Sequence, residues 1–354
     1  MMAASHALRA VAAVLLGLGL LLSVPVRGGE TEGPTALVLL ADSSTRDTYS
    51  KFFAQLEAVG LELDFQVAGD PGLLLQKWDT WLYDSLIVFA PKAEDLGGAL
   101  DSKQVLEFID EGGNVLLAVD EHVSASLRDI AAQSGIDLAL PKEKVLDHFN
   151  LRDTSDHTVI VTDDVATAAG IFGSEGVQAP ILFSGIGASL SFESELAFSA
   201  LRPSATAYSA SSKTTSEKSQ SVLAGKHISL VSLMQARNNA RVAVLGSMEM
   251  CSDAFFTSAV EFKGKKYPKS GNEAFCTGVS RWATRQRGVL KVDQFLHNTQ
   301  GSGATVNSSL YTIKDDVELT MRVTQLVDGK WVPYTCEDLQ FDFTMLHPYV
   351  RNTM

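Results

Sequence analysis

Past an apolar opening run, residues 10–24, short apolar segments alternate with amphipathic ones along the first third of the chain. Residues 36–40 are apolar at every position, as in a strand covered on both faces. Residues 45–59 follow with Tyr49, Phe52, Phe53, Leu56 and Val59 at helical spacing. Ser44 is placed to cap that helix and Gly60 to end it. Leu61, Leu63, Phe65 and Val67 alternate as in a strand. Residues 86–89 predict another buried strand. Val105, Phe108 and Ile109 predict a short helix closed by Gly112 and Gly113. Residues 115–119 predict a strand, and residues 127–132 a helix ended by Gly135. Such a βαβ series predicts a mostly parallel sheet with helices on both faces.

The middle is less regular. Residues 158–161, 181–183, 228–233 and 242–245 read as strands. Residues 209–221, SASSKTTSEKSQS, lack the apolar surface to order themselves and read as an exposed loop. Residues 272–287 read as a helix capped by Asn272, with Phe275, Val279, Trp282 and Ala283 on one face. Arg281, Arg285 and Arg287 suit the negative end of its dipole, and Gly288 ends it.

After His297 the pattern becomes two-residue. Residues 300–304 read as a flexible joint. Val317, Leu319, Met321 and Val323 alternate with polar residues, Asp328-Gly329 signals a hairpin turn, and Leu339, Phe341 and Phe343 alternate again. A β-sandwich takes about seven strands, and only three or four fit here, so this second domain reads as cut short. The expected organisation is a signal peptide at 1–28, an α/β domain at 35–297 and a partial β-sandwich-like domain at 304–354.

The leader reading rests on Arg9, the apolar run, the break at Pro25 and the small residues at 28 and 29. An uncleaved N-terminal anchor ranks second. Charge narrows the function. The 354 residues are 45% hydrophobic and 20% charged, with a formal charge of −13. That balance argues against nucleic acid, whose phosphates need Lys and Arg. The three cysteines, Cys251, Cys276 and Cys336, form no metal-binding spacing. Cys251 and Cys276 are candidates to pair, but three buried thiols is the favoured reading, because separate helices rarely offer disulfide geometry.

Catalytic signatures do not assemble. Asp120-Glu121-His122-Val123-Ser124 follows a strand, but no G-x-S-x-G or G-x-C-x-G frame surrounds Ser124, which reads better as a helix cap. Gly185-Ile186-Gly187 lacks the third glycine of a dinucleotide loop and reads as a tight turn. Asp147-His148 and Asp156-His157 offer too few convergent ligands for a metal. Trp78 and Trp81 read as packing residues. Asn307-Ser308-Ser309 is the single N-x-[ST] sequon and a candidate glycosylation site. Arg237, Asn238, Asn239 and Arg241 form a polar turn with two readings. One is a structural turn whose asparagines tolerate left-handed backbone and whose arginines pin neighbouring loops, which is favoured. The other is a partner-facing patch.

That turn carries a resemblance. QARNNARV at 235–242, followed by Phe255-Phe256, Ser258-Ala259-Val260 and Ser280-Arg281-Trp282, resembles the DDOST/Wbp family, the non-catalytic subunit of the endoplasmic-reticulum oligosaccharyltransferase complex. Supporting pieces run in order along the chain. They are Leu37-Val38-Leu39-Leu40 with Arg46, Phe52 and Phe53, then residues 83–89 and Glu94-Asp95-Leu96-Gly97-Gly98. Ile181-Leu182-Phe183 with Gly185 and Gly187, and Gly329-Lys330-Trp331-Val332-Pro333, complete them. The resemblance extends from about residue 35 to about residue 350. It implies an amidotransferase-like α/β domain with further β structure, and an accessory role in moving a preassembled glycan from dolichyl pyrophosphate to Asn of Asn-x-Ser/Thr. It implies no catalytic residue, cofactor or metal. Its implied partners are the catalytic and other subunits, ribophorin-type ones included, at the lumenal face of the membrane. Family members carry a C-terminal transmembrane helix after the β region, and this sequence stops before one. The competing reading is a soluble secreted α/β enzyme or glycan-binding protein on the same scaffold.

Overall fold

Eight strands build the central sheet, and its parallel part takes in the apolar runs 36–40, 86–89, 115–118 and 242–245, with the alternating strand 62–67 at its edge. We label β1 (Thr35–Leu40), α1 (Ser50–Glu57), β2 (Glu62–Val67), β3 (Ser85–Phe89), α2 (Ser102–Asp110), β4 (Asn114–Ala118), α3 (Ala125–Gln133), β5 (Ala197–Arg202), β6 (Val231–Gln235), β7 (Arg241–Leu245) and α4 (Asn272–Ala283). Strand order is Asp164–Val165, β5, β6, β7, β4, β3, β1, β2. Neighbours from β7 to β2 are parallel, and the other pairs are antiparallel. The computed structural model describes residues 33–153, 156–173, 176–191, 195–211, 223–303, 305–312, 315–327, 329–335, 342–345 and 350–353. The expected leader and Cys336 lie outside them.

The continuous apolar runs reflect burial on both sides. Val38, Leu40, Ile87, Phe89, Leu116 and Ala118 face a core that includes Phe52, Phe53 and Leu56 of α1 and Phe275, Val279 and Trp282 of α4. Their neighbours Leu37, Leu39, Leu86, Val88, Val115 and Leu117 face a second core with Val105, Phe108 and Ile109 of α2 and Leu127 and Ile130 of α3. Each Val, Leu, Ile or Phe among them contributes about 1.5–3 kcal/mol on burial. The fold class is therefore α/β, with a large sheet whose parallel strands occupy one side and whose antiparallel strands occupy the other.

Helix ends depart from the sequence reading in three places. The helix expected at 45–59 divides at Tyr49 into Thr45–Thr48 and α1. Asp42, not Ser44, satisfies its first N–H: Asp42 Oδ1 accepts from Thr45 N at 3.0 Å and from Ser44 Oγ at 2.6 Å. Ser44 already has helical backbone, so its side chain cannot reach back over the turn. The helix expected at 272–287 stops at Ala283. Arg285 takes φ +58, and the N–H groups of Arg285 and Gln286 return to the carbonyls of Trp282 and Arg281. This is a Schellman closure with Arg where Gly is usual.

Asn272 does not cap α4. Its fully buried side chain ties three segments together. Oδ1 accepts from Leu182 N at 2.8 Å, and Nδ2 donates to the carbonyls of Leu182 and Met250, each at 2.8 Å. Asn272→Ala would leave buried donors and acceptors unmatched and should cost about 2–3 kcal/mol, read as a lower denaturant midpoint.

The cysteine reading is corrected here as well. Cys251 and Cys276 form a disulfide with Cα atoms 5.9 Å apart. Cys251 lies on the single 3-10 turn Glu249–Cys251, packed on the first turns of α4, and the Asn272 bond to Met250 sets the spacing. Two long helices meeting side by side seldom bring Cβ atoms so close, but a turn stacked on a helix does.

The polar run expected as a loop at 209–221 is partly a strand. Tyr208–Ser211 pairs with Glu143–Leu146, and the fully buried Ser209 Oγ donates to Glu143 Oε2 at 3.0 Å. Residues 212–222 lie outside the described chain. A further antiparallel group joins Leu151–Asp153, Asp156–Thr162 and Ile181–Phe183. The Asp147 carboxylate knots this region, accepting from Ser204 Oγ, Thr206 Oγ1, Phe149 N and Asn150. Burial works to raise its pKa, but these bonds outweigh it and hold the group below its ordinary value. The folded pKa is depressed, so this contribution is present above the unfolded value and is lost as pH falls through the folded one. Asp147→Asn should remove the corresponding acid-side slope from a stability–pH profile.

The β region starts earlier than expected. Strand β8 (Leu290–Thr299) runs through the boundary drawn at 297 and pairs along its length with β9 (Val317–Val327), which in turn pairs with β10 (Lys330–Pro333). Gln300–Gly303 is a turn inside this sheet, not a joint before it: Ser302 N returns to Thr299 O, and Gly301 and Gly303 take φ +77 and +59. Val327 pairs with Lys330, and Gly329 before Lys330 takes φ +75; Asp328 of the expected turn lies outside the described residues. Among the described residues no helix is long and apolar enough to cross a membrane.

Candidate functional site: the QARNNARV turn and the two edges of the sheet

The QARNNARV turn joins β6 to β7. Ala236 N donates to Ala240 O at 2.8 Å and Asn239 N to Ala236 O at 2.9 Å. Asn239 takes φ +68, a conformation Asn tolerates better than most side chains. Asn238 Nδ2 donates to the carbonyls of Ile109 and Asp110, both at 2.8 Å, closing the C-terminal end of α2. Its Oδ1 accepts from Ala240 N at 2.9 Å.

Arg241 is 4% exposed and faces inward. Nη1 donates to the carbonyls of Trp282 and Arg287 at 2.8 and 2.7 Å, and Nη2 to Gly288 O at 2.6 Å. Its guanidinium carbon sits 4.9 Å from the Trp282 ring centre. Burial, helped by Arg285, pulls its pKa down to about 10, so the group remains cationic at neutral pH. Among the described residues no carboxylate pairs with this charge. The charge meets the carbonyl end of α4, where a cation suits the dipole. Arg237, by contrast, is exposed. The structure thus places Asn238 and Arg241 in clamps on the backbone of other segments; Arg237, Asn238 and Asn239 are exposed, and of the four only Arg241 is buried.

The turn precedes β7, so it lies at the amino edge of the parallel strands. Ligands of open α/β sheets bind at the opposite, carboxyl edge, beside the point where strand order reverses. Here that point falls between β1 and β3. Tyr49 fills it, buried with its ring 5.1 Å from Phe89. Burial raises the Tyr49 pKa, with Glu249 and Asp120 adding to the effect.

Beside β7 the edge is covered by the chain's own backbone. Ile186 N donates to Gly246 O at 2.7 Å, and Ser247 Oγ to Ser184 O at 2.6 Å. A Cβ on Gly185 would stand 2.1 Å from Gly246 O, and one on Gly246 2.2 Å from Ile186 O. These glycines permit two segments to cross in contact; they cradle no phosphate. Sequence reading placed a tight turn at Gly185 but gave no signal of its crossing partner.

The remaining sequence candidates are accounted for individually. Ser124 Oγ accepts from Leu127 N at 3.4 Å, as a cap of α3. Asp120, Glu121 and His122 place ligand atoms within 4.8 Å of one another. Glu121 is taken up by Lys144 at 3.0 Å, and Asp120 accepts the His122 N–H at 2.7 Å. His148 and His157 do come together, with ring centres 4.6 Å apart, and His148 Nε2 lies 2.9 Å from Tyr208 Oη. Their neighbour Asp147 is spent on the knot described above. Trp81 packs as expected, edge-on to Phe108 at 5.1 Å with Nε1 donating to Glu111. Trp78 does not pack: it is 89% exposed. Asn307 is exposed, and its Oδ1 accepts from His297 N at 3.0 Å.

Comparison with known proteins gives the family. The family model "OST48, N-terminal domain" matches residues 29–286, and "OST48 middle domain" matches residues 297–354. The dolichyl-diphosphooligosaccharide–protein glycosyltransferase 48 kDa subunit of Arabidopsis thaliana is 41% identical over 326 residues, covering 90% of this chain and 74% of that protein. The subunits of the same name from Danio rerio and Caenorhabditis elegans are 37% and 34% identical, each covering 95% of this chain and 76% and 77% of theirs. Among solved structures, the carbohydrate deacetylase Agd3 aligns with a TM-score of 0.38 at 11% identity, over 73% of this chain and 33% of its own.

Proposed function

The chain belongs to the OST48 family, the 48 kDa subunits of the dolichyl-diphosphooligosaccharide–protein glycosyltransferase, and from that premise we propose that it is a non-catalytic, lumen-facing member of the complex. It is an accessory oligosaccharyltransferase subunit acting in protein N-glycosylation, within a complex of the endoplasmic-reticulum membrane. The observation that carries this is the match of two successive family domains across nearly the whole described chain. The non-catalytic reading draws on the carboxyl edge. Its switch point is filled by Tyr49, its β7 end is covered by residues 184–186, and Ser124 and Glu121 are engaged in local structure.

The test has two parts. Affinity purification from solubilised microsomes should recover the other subunits, ribophorin-type and catalytic ones among them. The purified chain given lipid-linked glycan and an acceptor peptide should yield no glycopeptide. Turnover that disappears on mutating one acid, Asp120 or Glu121, would favour an enzyme on this scaffold instead.

A lumenal position also bears on Asn307. The sequon lies in an exposed loop beside β8. The expected result is a glycosidase-sensitive mass shift that Asn307→Gln abolishes; a wild-type chain without the shift counts against use of the site.

A further inference from the structure

The hairpin formed by Gln76–Lys77 and Thr80–Trp81 carries two tryptophans with opposite fates. Trp81 turns inward onto Phe108 and bonds Glu111. Trp78 stands at the tip. Lys77 pairs with Thr80, leaving Trp78 and Asp79 as the two turn residues, with φ +51 and +57. Two positive φ values mark the tight hairpin turn that selects Asn-Gly or Asp-Gly. A tryptophan there is strained, because its Cβ crowds the following carbonyl. Little packing is set against the strain: Trp78 is 89% exposed, and its carbonyl accepts a long hydrogen bond, 3.4 Å, from Thr80 Oγ1. Leu74 and Leu82 near the hairpin base are 48% and 42% exposed as well. Strain held at an exposed aromatic points to a contact made outside the chain.

The shape and charge of the tip choose among occupants. Glycan and small-ligand sites are concave and surround the ligand with polar groups; this tip is a convex projection. A membrane-seeking tip gathers Trp with Lys and Arg. Here Trp78 stands between Lys77 and Asp79 in sequence, one charge of each sign, in a chain of formal charge −13. A protein slot remains. Tryptophan is the most enriched anchor of protein interfaces, where it fills an apolar pocket.

We propose that Trp78 is an interface anchor, inserting into an apolar slot with a basic side chain at its rim, the latter facing Asp79, on another subunit of the oligosaccharyltransferase assembly. This rests on the family reading above.

The experiment expresses tagged wild-type, Trp78→Asn and Trp78→Phe chains in cells depleted of the endogenous subunit. It measures each chain's melting temperature and the other subunits it recovers from solubilised microsomes. Asn suits the turn, so Trp78→Asn should melt no lower than wild type. It should nonetheless recover the other subunits about tenfold less well, the scale of a lost anchor, with Trp78→Phe in between. A photo-crosslinking phenylalanine analogue replacing Trp78 should join a second polypeptide. Unchanged recovery by Trp78→Asn, a lower melting temperature, or crosslinks to lipid or glycan alone would each overturn the proposal. The wild-type chain separates the two readings: its own failure to recover subunits removes the family premise and this proposal with it, whereas a difference between wild type and variant speaks to the tip alone.

Discussion

Arg241→Ala is expected to destabilise the fold by about 4 kcal/mol, as much as truncating a large core side chain. Three charge-assisted hydrogen bonds, to the carbonyls of Trp282, Arg287 and Gly288, disappear together. Each is worth about 1.5–3 kcal/mol, and they share one side chain, so the sum is not additive. The variant also loses the contact over Trp282 and leaves carbonyls at the end of α4 unmet inside the protein. A typical domain has only about 5–15 kcal/mol in total. Arg241→Lys should recover less than half of the loss. Lysine keeps the charge but presents one nitrogen, not a planar fork reaching several carbonyls. Arg237→Ala, at the exposed end of the same turn, should stay within about 0.5 kcal/mol of wild type. Denaturant midpoints for the three variants decide the matter. Equal losses at Arg237 and Arg241 would contradict the assignment of the clamp to Arg241.

Removal of the Cys251–Cys276 bond should cost about 3 kcal/mol. The bond spans 25 residues of sequence, and closing such a loop restricts the unfolded chain by that amount in the entropic account. Cys251→Ala with Cys276→Ala should lower the melting temperature by several degrees. Reductant should produce a similar fall in the wild type and none in the double variant. Non-reducing mass analysis of the lumenal protein should show both thiols blocked. The oxidising lumen proposed for this chain is the compartment where such a bond persists. Protection by reductant, or two free thiols in the mature protein, would exclude the pairing.

The two effects act on neighbouring parts of one helix. Cys276 and Asn272 fix the start of α4 to the Glu249–Cys251 turn and to Leu182; Arg241 fixes its end to β7. The family-like segments QARNNARV and Ser280-Arg281-Trp282, separate in sequence, meet here, because Arg241 bonds and covers Trp282. Their shared role in the fold is to seat α4 on the sheet.

The sequence by itself determined the doubly covered parallel strands, because a strand buried on both faces reads as a continuous apolar run, and β1, β3 and β4 carry such runs at 36–40, 86–89 and 115–118. It determined the Ser124 cap and the antiparallel pairing of the strands on either side of Gly329, since those depend on residues a few positions apart. It also carried the family, through the order of short segments along the chain. Only the tertiary structure decided what distant segments do to one another. Asn272 before a helix is the same letter whether it caps the helix or bridges Leu182 and Met250. Ser209 reads as loop until its hydroxyl meets Glu143 from a strand more than sixty residues earlier. Gly185 and Gly246 show their reason only where their backbones cross. Arg241 and Arg237 sit in one turn of one composition. One is buried and the other solvated because the C-terminal end of α4, over forty residues away, packs against one side of that turn alone. Local pattern fixes which elements form; the partners of buried polar groups are fixed by contacts across the chain, and no local pattern encodes them.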